Sequence, residues 1–579
     1  MRFLNRRNIA LLLGPVIFAL FLVLRPPANM TTISARMAAV AALMAIWWIG
    51  EAIPIAATAL LPLALFPILG IMPASKVAPA YGNHIVFLFL GGFIIAIAMQ
   101  RWGLHRRIAL HVIRAFGANI NGMVLGFMVA TAFLSLWISN TATTMMMLPI
   151  AMAVVTQLAV STTSEPGSHD KRKSNRISDG ASPATTTDPL KSPGSGARVI
   201  RSLGPVLMLA IAYSASIGGV GTLVGTPPNI IFAGVVRKLF PNAPEISFLQ
   251  WMLIGLPVIF LFLPLSWLYL TRWAGAESLR NLPTMKGQRG LLGSQLKALG
   301  PISKGEKRVL FVFVITALLW ISRQPISLGN LTLPGWSQIF GQPQFLQDST
   351  VAVFMALLLF LIPGGSALPQ RSSEPRVPEQ DTHNSSQGKD PTPASSGESP
   401  LPSQKNRIFL MDWQSVQKGV PWGILILFGG GLALASGFQE TGLAEWIGKR
   451  LLAVGILPPV AIIAVTCLLM TFLTEVTSNT AITTTMMPIL AAASVGLRIH
   501  PFLLMIPATI SSSCAFMLPV ATPPNAIVFG SGWINIPRMA RAGLVMNFMG
   551  VVISTVVSYF IVGWLFSLDT LALPSWALH

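Results

Sequence analysis

The sequence predicts an all-α polytopic membrane protein of two inverted-topology repeats, with about 11 transmembrane helices and two re-entrant hairpins. Three observations lead there. Of 579 residues, 53% are hydrophobic and only 10% charged, and the mean hydropathy is +0.67. A soluble domain carries about 25% charged residues. Second, one polar tripeptide occurs twice inside apolar sequence, as Ser139-Asn140-Thr141 and Ser478-Asn479-Thr480. The surroundings repeat too: Ser139–Pro149 reads SNTATTMMMLP and Ser478–Pro488 reads SNTAITTTMMP, offset by 339 positions. Third, each copy is followed by a Pro-Pro break, Gly225-Thr226-Pro227-Pro228-Asn229 and Ala521-Thr522-Pro523-Pro524-Asn525. Polar groups at membrane depth are costly without partners. Breaks at matching places in two halves point to a binding site.

The elements follow in order. Arg2, Arg6 and Arg7 precede an apolar run with no small-residue cleavage site, so residues 8–24 are expected to be a retained first span. Further spans are expected at 35–50, 52–71 and 84–100. The basic, amphipathic stretch 101–118 (Arg101, Arg106, Arg107, Arg114) is read as lying at the membrane surface. Residues 122–160 are too long for one crossing and are interrupted by the first tripeptide, which fits a re-entrant hairpin with the polar tip at its turn. Ser, Pro, Thr and basic residues dominate 161–202, which reads as a disordered insert. A broken helix at 203–240 is followed by spans near 250–271, 305–321 and 346–362, with a polar basic loop at 272–304. A second disordered insert covers 364–408. The early pattern then returns: a span at 422–440, a surface piece at 441–456, a hairpin at 458–497, a broken helix at 501–530 and a last span at 543–567.

In domain terms, scaffold helices and the first arm helix occupy 1–118, and a transport half with its hairpin, broken helix and insert occupies 122–272. Scaffold helices return at 304–363, and after the insert a scaffold helix and second arm helix occupy 409–456. The second transport half covers 458–579. With the N-terminus cytoplasmic, 30 of the 39 Lys and Arg residues fall on the cytoplasmic side, the asymmetry that loop charge imposes on topology. The formal net charge of +20 is therefore assigned to membrane orientation, not to a nucleic-acid partner. An odd number of crossings separates the two hairpins, so they enter from opposite sides.

The tips offer hydroxyl and amide oxygens beside unwound carbonyls, which are hard ligands suited to Na⁺. Each half supplies one tip and one break, so two cation sites are expected, with an anion between the tips. Neither break contains Lys or Arg, so the attraction for a multiply charged anion must come from the cations and helix ends. A lone Ser or Thr in a helix usually bonds its own backbone; duplication in a helix-breaking context is what lifts these residues above that reading. Met145–Met147 and Met486–Met487 read as packing, as do Cys467 and Cys514, which lack metal-ligand spacing. Glu475 stands three residues before the second tip, where the first half has Leu136. Proton coupling and a hydrogen-bonded structural role are both open for it. Asn29-Met30-Thr31 and Asn330-Leu331-Thr332 match glycosylation acceptors, which carry no meaning in a bacterial protein.

The tips LSLWISNTATTMMMLP and LTEVTSNTAITTTMMP, with GTPPN and ATPPN, resemble the divalent anion:sodium symporter family of di- and tricarboxylate transporters. The similarity covers the chain apart from the two inserts. It implies a homodimer in the plasma or inner membrane, each protomer with a scaffold and a transport domain moving as an elevator. It implies one Na⁺ with Ser135, Ser139, Asn140 and the Gly225 region, and another with Thr474, Thr477, Asn479 and the Ala521 region. Thr477 would contribute there through its backbone carbonyl. Substrate carboxylates would meet Asn140, Thr141, Thr226, Asn479, Thr480 and Thr522, with Ser139, Ser478 and Pro523 beside them. The function expected is sodium-coupled symport of C4-dicarboxylates such as succinate, malate and fumarate, with citrate a larger candidate. The alternative is a sulfate carrier or dicarboxylate exchanger on the same fold. An enzyme is not expected, because no HExxH, paired His or Ser/His/Asp set sits at membrane depth. An ion channel is disfavoured, since two occluding hairpins suit alternating access. Replacing either insert, 161–202 or 364–408, by a short Gly/Ser linker is expected to leave substrate affinity nearly unchanged; a large loss of transport by correctly inserted protein would assign that insert a binding or regulatory role.

Overall fold

A computed structural model describes residues 6–116, 119–163, 195–274, 288–328, 331–365, 408–451, 458–566 and 573–577. Most of both polar inserts lies outside the described residues, as does Asn330. The N-terminal helices are α1 (Arg6–Val23), α2 (Thr32–Gly50) and the short α3 (Leu61–Ile68). The first repeat then runs α4 (His84–Arg101), α5 (Leu104–Phe116), α6 (Ile120–Ser135), α7 (Asn140–Thr163), α8 (Ser195–Gly219) and α9 (Pro227–Leu239). Between the repeats lie α10 (Phe248–Tyr269), α11 (Gln288–Ala298), α12 (Lys304–Ile321) and α13 (Asp348–Leu361). The second repeat is α14 (Trp422–Glu440), α15 (Leu443–Leu451), α16 (Pro459–Glu475), α17 (Asn479–Gly496), α18 (Pro501–Ser512) and α19 (Pro523–Phe529), and α20 (Ile536–Val557) follows.

Local chemistry sets these boundaries. Thr31, Asn83 and Asn119 cap α2, α4 and α6 with side-chain oxygens, and Ser247 and Ser303 form capping boxes with Gln250 and Glu306. Prolines open α9, α16, α18 and α19, where the missing N–H is no loss. The repeat is visible in the starts: α5 and α15, α6 and α16, and α7 and α17 each begin 339 positions apart. Gly103 and Gly442, which separate each span from its arm helix, both sit at positive φ (73° and 70°), a left-handed exit that favours glycine.

Three expectations change. The 52–71 segment is two short helices, Ile55–Thr58 and α3, because Pro62 stands at the start of the second and disfavours helix before it. The 272–304 loop contains α11. The all-α reading misses two antiparallel pairs, Ile326–Leu328 with Leu331–Leu333 and Pro363–Gly365 with Ile408–Phe409, too short to show an alternating pattern. Among the described residues eight helices are long and apolar enough to cross a membrane, the second hairpin arm Asn140–Val160 included. Large side chains such as Leu12, Val16, Phe260, Phe311 and Phe354 are exposed, as a lipid-facing surface requires.

The two repeats interlock. The α9 helix packs on α17 and α14 of the other half, while α19 packs on α7 and α8. That exchange brings both tips and both breaks to one place. Substituting alanine at Gly103 or Gly442 forces an L-residue into the left-handed region, at about 1–2 kcal/mol; each variant should melt below the wild type in detergent, and an unchanged melting point would show that the arm junctions tolerate another geometry.

Candidate functional site

One cavity of about 790 Å³ is lined by Ser139, Asn140 and Thr141, by Ser478, Asn479 and Thr480, and by Thr226, Ala521, Thr522 and Pro523. Its other wall comes from Glu51 to Ala56 after α2 and from Pro421 to Leu427 at the start of α14. Sequence reasoning missed these segments, since they carry no polar repeat. Behind the tips, and not on the cavity wall, lie the remaining predicted residues Ser135, Gly225, Thr474 and Thr477, all buried.

The hydrogen bonding there is unusual in the same way in both halves. Ser135 Oγ lies 2.7 Å from Asn140 Oδ1 and 2.7 Å from the Ala215 carbonyl oxygen. Thr474 Oγ1 lies 2.5 Å from Asn479 Oδ1 and 3.0 Å from the Ser512 carbonyl oxygen. A hydroxyl has one proton to donate, so each cluster holds three oxygens and a single proton between them. Close oxygens with too few protons suit a hard cation. Glycine makes the first cluster compact: a Cβ on Gly219 would stand 2.4 Å from Asn140 Oδ1, and one on Gly225 would stand 2.4 Å from the Gly219 carbonyl oxygen.

The other predicted ligands are less free. Thr477 donates its hydroxyl to the Leu473 carbonyl at 2.9 Å, which leaves its own carbonyl as the group able to ligate. Ser139 Oγ accepts from the Ala142 N–H at 3.4 Å, starting α7. Cys467 and Cys514 are buried free thiols.

The chain matches, over residues 5–568, the family described as the sodium:sulfate symporter transmembrane region. It is 40% identical over 561 residues to the sodium-dependent dicarboxylate transporter SdcS of Staphylococcus saprophyticus, covering 97% of this chain and 92% of the relative. The SdcS of Staphylococcus aureus strain MRSA252 matches with the same identity and coverage. The chain belongs to the divalent anion:sodium symporter family. It is a membrane transporter and not an enzyme. At the level of fold it is similar to the structure of Neisseria gonorrhoeae MtrF, from work on a class of antimetabolite efflux pumps (TM-score 0.50, 11% identity, 97% of this chain and 96% of that one).

In this transporter two asparagine amides hold the breaks open. Asn229 Nδ2 lies 3.0, 3.3 and 2.7 Å from the carbonyl oxygens of Gly219, Val220 and Thr222. Asn525 Nδ2 lies 3.1 and 3.0 Å from those of Ala515 and Leu518. Both amides are fully buried. Each fills a basket of unwound carbonyls with donor hydrogens and so keeps the loop from closing into helix. The repeated Asn of the two TPPN breaks was the signal for them; what it could not reveal was the partners.

Glu475 breaks the symmetry. Its Oε1 accepts from the N–H groups of Phe516 at 2.7 Å and Met517 at 2.9 Å and from Asn547 Nδ2 at 2.7 Å, and its Oε2 accepts from the Leu518 N–H at 3.1 Å. Four donors suit a carboxylate that accepts only, which favours the structural role over proton coupling. In the first half Leu136 offers only its carbonyl, to the Thr222 hydroxyl at 2.5 Å. Changing Glu475 to Leu would strand the N–H groups of Met517 and Leu518 at about 1–3 kcal/mol each, while the Phe516 N–H keeps Asn547 Oδ1 at 3.2 Å. The variant should therefore lose much of its thermal stability; a wild-type melting curve would show that the loop does not depend on the carboxylate.

Proposed function

We propose that the chain is a sodium-coupled symporter of C4-dicarboxylates, such as succinate, malate and fumarate, with citrate as a larger candidate, working in the plasma or inner membrane. One observation carries the coupling: among the described residues on the cavity wall the only ionisable side chain is Glu51, an acid. A dianion entering such a space needs positive charge from elsewhere. The two proton-poor oxygen clusters, Ser135 with Asn140 and Thr474 with Asn479, stand directly behind the tips that would hold it.

In this reading one Na⁺ binds Ser135, Ser139, Asn140 and the Gly225 backbone, and a second binds Thr474, the Thr477 carbonyl, Asn479 and the Ala521 backbone. The carboxylates meet Thr141, Thr226, Thr480 and Thr522, with Ser478 and Pro523 alongside. Asn140 and Asn479 serve both sides, since an amide offers two donors and an acceptor. The cations lower the cost of bringing the anion in, and the anion lowers that of retaining the cations, so the three bind as a set. The hairpins and broken helices, 122–272 and 458–579, form the mobile domain, and an elevator movement against a dimeric scaffold carries the set across, with the N-terminus cytoplasmic and the repeats inverted. Support for a dicarboxylate comes from the names of relatives aligned over 97% of this chain. Sulfate transport is the second reading, favoured by the name of the matching family.

Uptake of labelled succinate into proteoliposomes should rise sigmoidally with external Na⁺ and fail in K⁺, and sulfate should not compete. Asn140→Ala and Asn479→Ala should each weaken succinate binding roughly tenfold or more, since each removes a cation ligand and a substrate donor together. High Na⁺ should restore only part of that loss. Uptake that is equal in both salts, or unchanged in both variants, would rule out the two-tip site.

A further inference from the structure

Away from the transport cavity, α5 and α11 enclose a groove of about 480 Å³ lined by Arg107, His111 and Arg114 on one side and Gly293, Lys297 and Gly300 on the other. Residues 107, 111 and 114 recur at the spacing that puts them on one helix face. We propose that this groove binds the phosphate headgroup of an anionic phospholipid.

The cations in the groove have different duties. Arg107 is fully engaged: it pairs with Glu306 at 2.9 Å and donates to the Gly300 carbonyl at 3.0 Å, which ties the end of α11 to α5. His111 donates its Nδ1–H to the Arg107 carbonyl at 2.8 Å, which fixes the ring on the groove wall. Arg114 and Lys297 are exposed and form no ion pair among the described residues. Among the described residues no carboxylate lines the groove. Unbalanced positive charge facing an enclosed volume attracts an anion.

The second repeat gives the contrast. In α15, Lys449 pairs with Glu445 at 2.6 Å, while Arg450 stacks over Trp446 at 5.4 Å and donates to the Ala28 carbonyl at 3.1 Å. Among the described residues the charges of that arm have partners within the protein, whereas in α5 Arg107 is paired and Arg114 is not.

Position selects the lipid as the source of the anion. The α5 helix joins the end of a candidate span, Ala74–Arg101, to the first hairpin. It buries Leu104, Ala109, Leu110 and Ile113 and exposes Phe116 beside Arg114. An amphipathic helix of that composition lies among headgroups, where anionic lipids gather near Lys and Arg.

The test uses the purified full-length protein in detergent and reads binding by native mass spectrometry. Dioctanoyl phosphatidylglycerol should bind saturably and dioctanoyl phosphatidylcholine should not. The pair Arg114→Gln and Lys297→Gln should weaken phosphatidylglycerol binding tenfold or more, while Lys449→Gln with Arg450→Gln leaves it unaltered. Gly293→Phe supplies a second arm with both charges intact, since a Cβ there meets nothing within 4 Å and the ring would fill the groove; it should block binding, and it carries the test should the double variant fail to fold. Wild-type affinity in the groove variants would overturn the site. Competition by inorganic phosphate at equal concentration would overturn the lipid as its occupant.

Discussion

A hydroxyl group carries one proton, and in each half of this protein one hydroxyl faces two acceptor oxygens. Ser135 does so with Asn140 and Ala215, and Thr474 does so with Asn479 and Ser512. In such clusters the two acceptors compete for that one proton, and a hard cation would satisfy both. The rest of the fold reads as the means of building them twice. Each hairpin presents its amide at a helix start, and each Pro-Pro break frees carbonyls beside it. Asn229 and Asn525 hold those carbonyls apart. Interlocking of α9 with α17 and of α19 with α7 then places both clusters behind the tips that line one cavity.

The two halves are equivalent in their ligands and unequal in their support. In the first, close packing of glycines does the positioning, with Gly219 and Gly225 against Asn140 and each other. In the second, Ala515 and Ala521 replace those glycines, and the carboxylate of Glu475 holds the loop by three consecutive N–H groups.

Much of this was legible in the sequence because polar residues in apolar segments are conspicuous. The tripeptides, the breaks and their common offsets located twelve of the cavity-lining residues, and the hairpin and break helices start on the same offsets. Other features leave no mark in the residue pattern. Asn229 holds carbonyls seven to ten residues back, which any residue type could supply, and Glu475 meets its backbone donors some forty residues on. The wall from Glu51 to Ala56 lacks any repeat. Helix α11 was hidden in a polar stretch, because a surface helix resting on α5 needs only a narrow apolar stripe.

The central claim is that cations in the two clusters create the attraction for the anion. The most direct measurement is equilibrium binding of succinate to the purified protein as Na⁺ is varied at constant ionic strength with choline. In the unsaturated range the logarithm of the association constant should rise with the logarithm of Na⁺ concentration at a slope of about two, one ion for each cluster. A slope near zero, with succinate binding as well in choline as in Na⁺, would contradict the account.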